Sequence, residues 1–536
     1  MEMTGSSRLE PNETIPSALA EAVERFGANE ALVDGDTRLT YQELRAAAED
    51  VARALVGSGI EPGDRVAVWA PNIGEWVTAA LGAYRAGAVI VPLNTRFKGP
   101  EASYVMRTSR ARLLLTVGEF LGTDYVGLLG DAEPVPSLEE VVVMRGVRAD
   151  TTPWSAFLER GRAVDPSVVA DREAAIKPED VSDIIFTSGT TGAPKGAMLQ
   201  HGASVWAYRT WTDVVQLVET DRYLVLNPFF HTFGLKAGIL ACVVTGAAII
   251  PHAVFDVPAV MRRVVEERVS MLPGPPTVYQ TMLDHPDLAS FDMSSLRLAV
   301  TGAATVPVEM VRRMRSDMAF ETIITGYGLT ETVGITSCCR PDDDPETIAT
   351  TAGRPIPGVE VIIVDDDGRR LGPEEPGEVL TRGPNMMQGY FENPEATAAA
   401  LDSDGWLHTG DIGVLDEAGN VRITDRKKDM FIVGGFNAYP AEIENVIVCH
   451  PYVGQAAVVG APDHRMGEVG VAFVVPRAGA VIDPDELIEW CRTQMANFKV
   501  PRHVEVVETF PLNATGKVLK YELRDRAAAL LAPGTT

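Results

Sequence analysis

The sequence predicts an α/β protein with a large N-terminal domain, made of two α/β units and a β-rich subdomain, and a small, mobile α+β C-terminal domain. Short apolar strands alternate with helical segments from Pro16 to about Thr322, an order typical of parallel sheets with crossover helices. After Gly353 the strands are separated by Gly, Pro and Asp turns, which favours a β-rich subdomain. Four successive charged residues, 426–429, then precede a last group of strands and helices.

The N-terminal elements follow from the spacing of apolar and turn residues. A helical pattern begins at Pro16, and the Asp-Gly-Asp turn at 34–36 predicts a hairpin that is followed by a second helix. A strand at 65–69, a helix at 74–86 and a strand at 88–92 predict the first crossover unit. Further strands are predicted at residues 112–116, 141–144, 184–186, 222–226, 247–250, 271–273 and 296–301.

The last third of the chain divides at the charged run. Before it, short strands are predicted at 359–364, 377–381, 410–415 and 421–425; after it, strands are predicted at 455–460 and 469–475 and helices at 440–450 and 484–495. We therefore expect an N-terminal domain at 1–425, a C-terminal domain at 426–536 and a hinge near 425–428. A charged run is also typical of a solvated surface turn.

Composition restricts the class of protein. The chain of 536 residues, 46% hydrophobic and 23% charged, is long enough for several globular domains. A formal net charge of −27 argues against a nucleic-acid partner, because phosphate contacts need clustered Lys and Arg. No apolar run reaches the roughly 20 residues of a membrane span, and the N-terminus lacks a signal-peptide pattern. The five cysteines form no C-x-x-C pair, so we expect a cytoplasmic enzyme with free thiols.

The stretch 187–196, Thr-Ser-Gly-Thr-Thr-Gly-Ala-Pro-Lys-Gly, follows a short apolar strand. Its glycines let the backbone turn sharply and approach a ligand, while its hydroxyls and Lys195 offer donors and a positive charge. This combination suits a polyphosphate. The stretch lacks the Gly-Lys-Ser/Thr ending of a Walker A motif, which excludes the P-loop kinases and GTPases. The alternative is a polar surface turn.

Four further stretches carry reactive or binding side chains. Residues 227–234 place one histidine among aromatic rings, where a structural role is the alternative. Residues 325–332 combine glycines, hydroxyls, a tyrosine and a glutamate, which suits a base, a phosphate and Mg²⁺ but also a capped strand-to-helix turn. Residues 406–411 end in a carboxylate that could accept ribose hydroxyls, or satisfy a turn. Residues 511–518 place a lysine on a glycine turn.

In this order and spacing, the motifs resemble the AMP-forming acyl-CoA synthetases of the adenylate-forming superfamily, over essentially the whole chain. The matching stretches are 187–196, 327–332, 406–411, 425–429 and 513–517. That family uses ATP and Mg²⁺ to turn a carboxylic acid into an acyl-adenylate, and coenzyme A then displaces AMP to give a thioester. The resemblance therefore implies an acid–thiol ligase whose partners are a small carboxylic acid, ATP and coenzyme A. It leaves a homodimer open.

The resemblance implies a role for each matching residue. The residues that would hold the β- and γ-phosphates are Thr187, Ser188, Gly189, Thr190, Thr191, Gly192 and Lys195. The residues that would hold the adenine are Gly302, Ala303, Ala304, Gly326 and Tyr327. Thr330 would bind the α-phosphate, Glu331 with Thr190 would bind the Mg²⁺, and Asp411 with Arg426 would bind the ribose. Lys517 would bridge the acid and the α-phosphate during adenylation. A rotation at the hinge residue Lys428 would replace Lys517 by Gly434, Gly435 and Phe436 near coenzyme A.

The acid pocket of this family lies beside the residue that matches His231, which the resemblance counts as catalytic. Around it the resemblance places Trp206, Arg209, Phe230, Lys236 and Tyr279. A rigid bicyclic diketone would need an apolar pocket with donors, which Arg209 or Lys236 could supply, although Lys236 could instead extend to solvent.

The stretches 229–240, 272–280 and 300–307 are similar to a narrower group, the HIP-CoA ligases. These bacterial enzymes act on the methylhexahydroindanedione propanoate that remains after the A and B rings of a steroid are degraded. The predicted function is therefore ligation of this propanoate in sterol catabolism. The alternatives are a medium-chain or aromatic acyl-CoA synthetase and, in another class, an inactive acyl- or nucleotide-binding protein.

Overall fold

The computed structural model describes residues 11–187, 194–302, 306–426, 429–433, 436–463, 465–495, 497–512 and 518–531, and of residues 425, 426, 436 and 437 it describes the backbone. The chain divides into two compact units. The first contains Met1–Val361 and Thr381–Leu407, and the second contains Ile362–Leu380 and His408–Thr536.

Eight of the seventeen described helices begin after a residue whose side chain caps the first turn. For example, the side chain of Thr40 accepts from the backbone of Glu43, and the Glu43 carboxylate accepts from the amide of Thr40, which satisfies two free amides of the first turn. The described helices are α1 (Ile15–Phe26), α2 (Tyr41–Gly57), α3 (Gly74–Arg85), α4 (Gly99–Ser109), α5 (Tyr125–Gly130), α6 (Trp154–Gly161), α7 (Pro166–Ala175), α8 (His201–Val215), α9 (Ala241–Thr245), α10 (Val257–Glu267), α11 (Pro276–Leu283), α12 (Val308–Met318), α13 (Pro345–Thr350), α14 (Pro394–Ala400), α15 (Pro440–Ile447), α16 (Pro484–Gln494) and α17 (Lys520–Leu530).

The strands are mostly short and apolar, as expected for buried sheets. They are β1 (Glu30–Asp34), β2 (Thr37–Thr40), β3 (Arg65–Trp69), β4 (Val89–Pro92), β5 (Ala111–Val117), β6 (Glu140–Arg145), β7 (Thr152–Pro153), β8 (Val181–Thr187), β9 (Lys195–Gln200), β10 (Arg222–Val225), β11 (Ala248–Pro251), β12 (Leu298–Gly302), β13 (Thr322–Tyr327), β14 (Ser337–Cys338), β15 (Arg354–Pro355), β16 (Glu360–Val364), β17 (Gly377–Arg382), β18 (Gly389–Tyr390), β19 (Leu407–Leu415), β20 (Val421–Arg426), β21 (Phe431–Val433), β22 (Phe436–Ala438), β23 (Val453–Asp463), β24 (Gly467–Pro476) and β25 (His503–Val506).

The first unit is built on mixed sheets with a parallel central part, which confirms the predicted α/β class. One eight-stranded sheet has the order β18-β9-β8-β4-β3-β5-β6-β7, and its strands from β8 to β7 pair in parallel. Two four-stranded sheets have the orders β10-β11-β1-β2 and β12-β13-β14-β15. Residues 271–273, predicted as a strand, are not a regular strand: Met271 makes single parallel bridges to Tyr223 and Leu298. Pro273 lacks an amide to donate, whereas the amide of Gly274 still donates to the backbone oxygen of Val300 over 3.0 Å.

The second unit is an α+β structure. Strands β16, β17, β19 and β20, whose residues lie mostly in this unit, form a four-stranded sheet in the order β16-β17-β19-β20. A five-stranded sheet has the order β22-β21-β24-β23, with β25 paired to β24. Two apolar clusters accompany this sheet: one includes Ile443 of α15 and Cys491 of α16, and the other includes Leu523 of α17. A large N-terminal α/β domain is thus followed by a small C-terminal domain, as predicted.

One helix that bears on the site was not predicted. Residues Phe233–Leu240 form a π-helix directly after His231 and Thr232, and its residues from Gly234 onward are buried. Such helices are rare and often accompany functional sites. Within the described part of the chain, no helix is long and apolar enough to cross a membrane.

Candidate active site

The two ends of the glycine-rich stretch meet at the edge of the eight-stranded sheet. Strand β8 ends at Thr187 and β9 begins at Lys195, and these two residues pair directly across the antiparallel ladder. The Thr187 hydroxyl donates to the backbone oxygen of Lys195 over 3.4 Å. The predicted phosphate ligands Ser188, Gly189, Thr190, Thr191 and Gly192 lie outside the described residues.

Lys195 is connected to Glu331 through a tyrosine that sequence analysis did not single out. The Nζ atom of Lys195 lies 5.3 Å from the centroid of the Tyr390 ring. The Tyr390 hydroxyl donates to Oε1 of Glu331 over 2.7 Å. Burial raises the pKa of the Tyr390 phenol, and the charge of Glu331 raises it further, so this hydroxyl keeps its proton. These three side chains, which we call the Lys195–Tyr390–Glu331 cluster, join the predicted phosphate and metal groups.

The predicted α-phosphate and acid segments also meet. Thr330 begins the single 3₁₀ turn Thr330–Thr332, and its hydroxyl lies 3.4 Å from that of the buried Thr232. The neighbouring His231 is exposed, and its Nδ1 accepts from the amide of Phe233 over 3.3 Å. The exposed imidazole and the Thr330 hydroxyl therefore lie in adjoining segments.

The predicted adenine residues lie side by side at the ends of two parallel strands. Gly302 of β12 pairs with Gly326 of β13, and Tyr327 follows at the end of β13. A Cβ atom on Gly302 would stand 2.7 Å from the carbonyl oxygen of Gly326, so only glycine allows this approach. Strand ends of this kind are the usual ligand edge of an α/β sheet. Ala303 and Ala304 lie outside the described residues.

The donor set around Glu331 fits a metal ion that arrives with a nucleotide. Among the described residues no three His, Cys, Asp or Glu side chains come together to hold an ion by themselves. Mg²⁺ commonly binds through one or two carboxylates plus substrate phosphates. Oε1 of Glu331 accepts from Tyr390, and a carboxylate has further lone pairs, so Glu331 can also serve as such a single oxygen ligand.

In the second unit, the two predicted ribose residues face each other across a strand pair. Asp411 of β19 pairs with Arg426 of β20 in antiparallel register. Asp411 is buried, and its amide donates to the Thr409 hydroxyl over 3.0 Å. Phe436 begins β22, where its backbone pairs with Val433. The predicted hinge and coenzyme A residues Lys428, Gly434 and Gly435, and the predicted catalytic Lys517, lie outside the described residues.

The predicted acid-pocket residues fall into two groups. Trp206 of α8 is buried against Gly358, where a Cβ atom would stand 2.7 Å from the indole, and Phe230 is half-buried. Tyr279 is fully buried, and its hydroxyl lies 2.8 Å from the backbone oxygen of Leu272, to which it donates. The phenol of Tyr279 therefore belongs to the protein core, whereas Trp206 and Phe230 stay predictions for the apolar side of the acid pocket.

The two predicted cationic donors are both bound to carboxylates. The guanidinium of Arg209 donates to Glu13 over 2.6 Å and also contacts Glu21. Lys236 is 1% exposed and forms an ion pair with Asp183, which is 0% exposed. The alternative that Lys236 extends to solvent is therefore wrong: the π-helix directs this side chain inward, where Asp183 compensates its charge.

The chain as a whole matches a known family. Residues 19–391 match the model of the AMP-binding enzyme, and residues 442–517 match the AMP-binding enzyme C-terminal domain. The chain therefore belongs to the AMP-binding, adenylate-forming enzyme family. Its class is that of the AMP-forming acyl-CoA ligases, which use ATP and coenzyme A, and this confirms the predicted enzyme class.

Within the family, the chain is most informatively compared with two bacterial relatives. It is 50% identical over 512 residues, 96% of this chain and 98% of the relative, to the 3-[(3aS,4S,7aS)-7a-methyl-1,5-dioxo-octahydro-1H-inden-4-yl]propanoyl:CoA ligase of Mycobacterium tuberculosis (strain ATCC 25618 / H37Rv). It is 48% identical over 517 residues, 96% of this chain and 98% of the relative, to the ligase of the same name from Rhodococcus jostii (strain RHA1). The predicted similarity to this narrower group is confirmed.

A solved structure agrees with the fold. An anthranilate CoA ligase in complex with anthranoyl-AMP has a TM-score of 0.83 and 28% identity to this chain, over 98% of this chain and 99% of the other. That relative is thus a CoA ligase whose structure contains an acyl-adenylate.

Proposed function

We propose that this enzyme joins a steroid-derived bicyclic propanoate, with a methylated indanedione ring system, to coenzyme A during sterol ring catabolism. The observation that carries the proposal is the 50% identity, over 96% of the chain, to a relative named for that acyl group. The buried Trp206 and the half-buried Phe230 supply apolar surface suited to such a ring system. Arg209 and Lys236 already bind carboxylates, so they have no part as ketone donors in this proposal.

The proposed first step is adenylation. A carboxylate oxygen of the acid attacks the α-phosphorus of ATP, the bond to the β-phosphate oxygen breaks, and pyrophosphate leaves. Lys195 and the hydroxyl-rich stretch before it hold the β- and γ-phosphates, Thr330 binds the α-phosphate, and Lys517 lies between the two anions that must approach. Mg²⁺, bound through Glu331 with Thr190, would offset phosphate charge in this step. His231 lies next to the acid in this proposal.

The proposed second step forms the thioester. The thiol of coenzyme A releases its proton to solvent, its sulfur attacks the acyl carbon, and AMP leaves as its phosphate oxygen takes the electrons of the broken C–O bond. We propose that residues 426–536 form the moving domain, which rotates about Lys428. This rotation exchanges Lys517 for the segment 434–436, while Asp411 and Arg426 bind the ribose.

The reaction partners in this proposal are the acid, ATP and coenzyme A, in the cytoplasm. A cytoplasmic location is proposed because the sequence has no C-x-x-C pair and five cysteines, which we expect to be free thiols. A homodimer is tested by analytical ultracentrifugation, which would give twice the mass of the chain.

A panel of acids tests the proposed function. The purified enzyme is supplied with ATP, Mg²⁺, coenzyme A and either the indanedione propanoate, octanoate, benzoate or cinnamate, and pyrophosphate and thioester are measured. We expect the highest kcat/KM with the indanedione propanoate. A preference for octanoate or an aromatic acid would contradict the acid assignment but keep the ligase class. Pyrophosphate release with none of the acids would favour an inactive binding protein, and a Glu331→Gln variant controls for contaminating activity.

A further inference from the structure

Strand β18 places Tyr390 beside the phosphate-binding stretch. Gly389 and Tyr390 pair in antiparallel register with Met198 and Ala197 of β9. The amide of Phe391 also donates to the backbone oxygen of Gly196 over 2.8 Å. Hydrogen bonds on both sides of Tyr390 therefore fix its backbone next to the start of β9, where Lys195 lies.

The same segment also holds the turn that carries Glu331. The amide of Met387 donates to the backbone oxygen of Glu331 over 2.8 Å. The side-chain amide of the buried Asn385 donates to the backbone oxygens of Thr332 and Ile335 over 3.2 and 2.5 Å. The segment 385–391 thus connects two elements that the proposed function assigns to metal and phosphate binding.

The side chain of Tyr390 contacts both charged groups in different ways. Its hydroxyl donates to the Glu331 carboxylate over 2.7 Å, whereas its ring face receives the Lys195 ammonium at 5.3 Å. In the described part of the chain, Lys195 and Glu331 form no direct ion pair. A direct pair would neutralise the lysine that phosphate needs and the carboxylate that a metal needs, and the ring between them keeps the two apart.

We propose that Tyr390 is a positioning residue for metal-bound ATP. It orients the Glu331 carboxylate through its hydroxyl and holds Lys195 through its ring, so that the two opposite charges stay separate until the nucleotide binds. This proposal rests on the roles of Lys195 and Glu331 in the proposed function. The hydroxyl therefore affects the metal-dependent part of ATP affinity, and the ring affects the part that depends on phosphate alone.

Two substitutions separate these contributions. Tyr390→Phe removes the hydroxyl and keeps the ring, whereas Tyr390→Leu removes both. Binding of ATP is measured by isothermal titration calorimetry without any acid, once with Mg²⁺ and once with EDTA. We expect Tyr390→Phe to weaken Mg²⁺·ATP binding about tenfold and to leave metal-free ATP binding unchanged, because a hydrogen bond to a charged group is lost. Tyr390→Leu should also weaken metal-free binding, by a factor of about three.

A matched control is Tyr125→Phe, which removes a tyrosine hydroxyl that donates to the backbone oxygen of Thr95 over 3.0 Å. This variant should bind ATP as the unsubstituted enzyme does under both conditions. Unchanged Mg²⁺·ATP affinity in Tyr390→Phe, or an equal loss with Mg²⁺ and with EDTA, would overturn the proposal. Because no acid is present, a wrong acid assignment would leave these results unaffected, whereas absence of ATP binding in the unsubstituted enzyme would contradict the proposed function itself.

Discussion

Lys236 and Asp183 form an ion pair from which water is almost wholly excluded, since their side chains are 1% and 0% exposed. Lys236 lies in the π-helix Phe233–Leu240 that follows His231, and Asp183 lies in the strand that leads to the glycine-rich stretch. The hydroxyls of Tyr84 and Ser182 also donate to the Asp183 carboxylate. The pair therefore connects the segment beside the proposed acid pocket to the strand that leads into the proposed phosphate-binding stretch.

Removing one partner of this pair should destabilise the protein strongly. Lys236→Met leaves the Asp183 carboxylate buried without its cation, and breaking such a pair costs about 3–5 kcal/mol. Chemical denaturation at neutral pH measures the loss of unfolding free energy. The double variant Lys236→Met/Asp183→Asn removes both charges and should recover part of that loss. A single variant as stable as the unsubstituted protein would contradict this account of the pair.

The contrast between Lys236 and Glu331 shows what the sequence could predict. Strand spacing and glycine turns depend on adjacent residues, so most of the short strands, the glycine-rich stretch 187–196 and a turn at Thr330 could be predicted from local patterns, whereas the pairing of Thr187 with Lys195 could not. The partners of Lys236 and Tyr390 lie far away in the chain, and only strand pairing and helix packing bring them together. The sequence around Lys236 is apolar and does not indicate whether the ammonium contacts solvent, the substrate or a buried carboxylate.

The buried His201 should make stability depend on pH. Burial lowers the pKa of this imidazole to about 3, and the nearby Lys236 charge contributes. Its ordinary pKa is near 6.5, so below that pH the unfolded chain binds a proton that the folded protein does not, and stability falls as the pH falls toward 3. Between pH 7 and pH 5 the protonation of this group alone should lower the free energy of unfolding by about 2 kcal/mol.

The matched variant for this effect is His201→Gln, whose side-chain oxygen can still accept from the amide of Ile15, as Nδ1 of His201 does over 3.4 Å. Urea denaturation of both proteins at pH 7 and pH 5 gives the comparison. The unsubstituted protein should lose about 2 kcal/mol more than the variant between these pH values. Equal losses would show that His201 does not account for the acid sensitivity.

Arg209 should contribute to the stability of the protein and not to its affinity for the acid. Its guanidinium bridges Glu13 and Glu21, which places it in a partly exposed ion-pair network with the N-terminal segment. Arg209→Met should lower the unfolding free energy by about 1 kcal/mol and leave KM for the acid unchanged. Glu21→Gln removes the other side of the contact and should give a smaller loss of the same kind. If Arg209→Met instead raised KM for the acid and left the unfolding temperature unchanged, the prediction that Arg209 lines the acid pocket would be supported.

The two half-reactions should respond differently to the two proposed lysines. Lys517→Ala removes the charge proposed to lie between the acid and the α-phosphate, so adenylation should be abolished, while thioester formation from supplied acyl-adenylate should largely persist. Lys195→Ala removes a contact to the departing pyrophosphate, so it should slow adenylation and affect thioester formation less. Pyrophosphate release measures the first half-reaction, and coenzyme A consumption with synthetic acyl-adenylate measures the second. Equal loss of both half-reactions in Lys517→Ala would refute the assignment of that lysine to adenylation alone. It would also refute the proposal that two arrangements of residues 426–536 share one site.

Lys428→Pro, which restricts φ at the proposed hinge, should slow the exchange between these two arrangements and therefore the complete reaction.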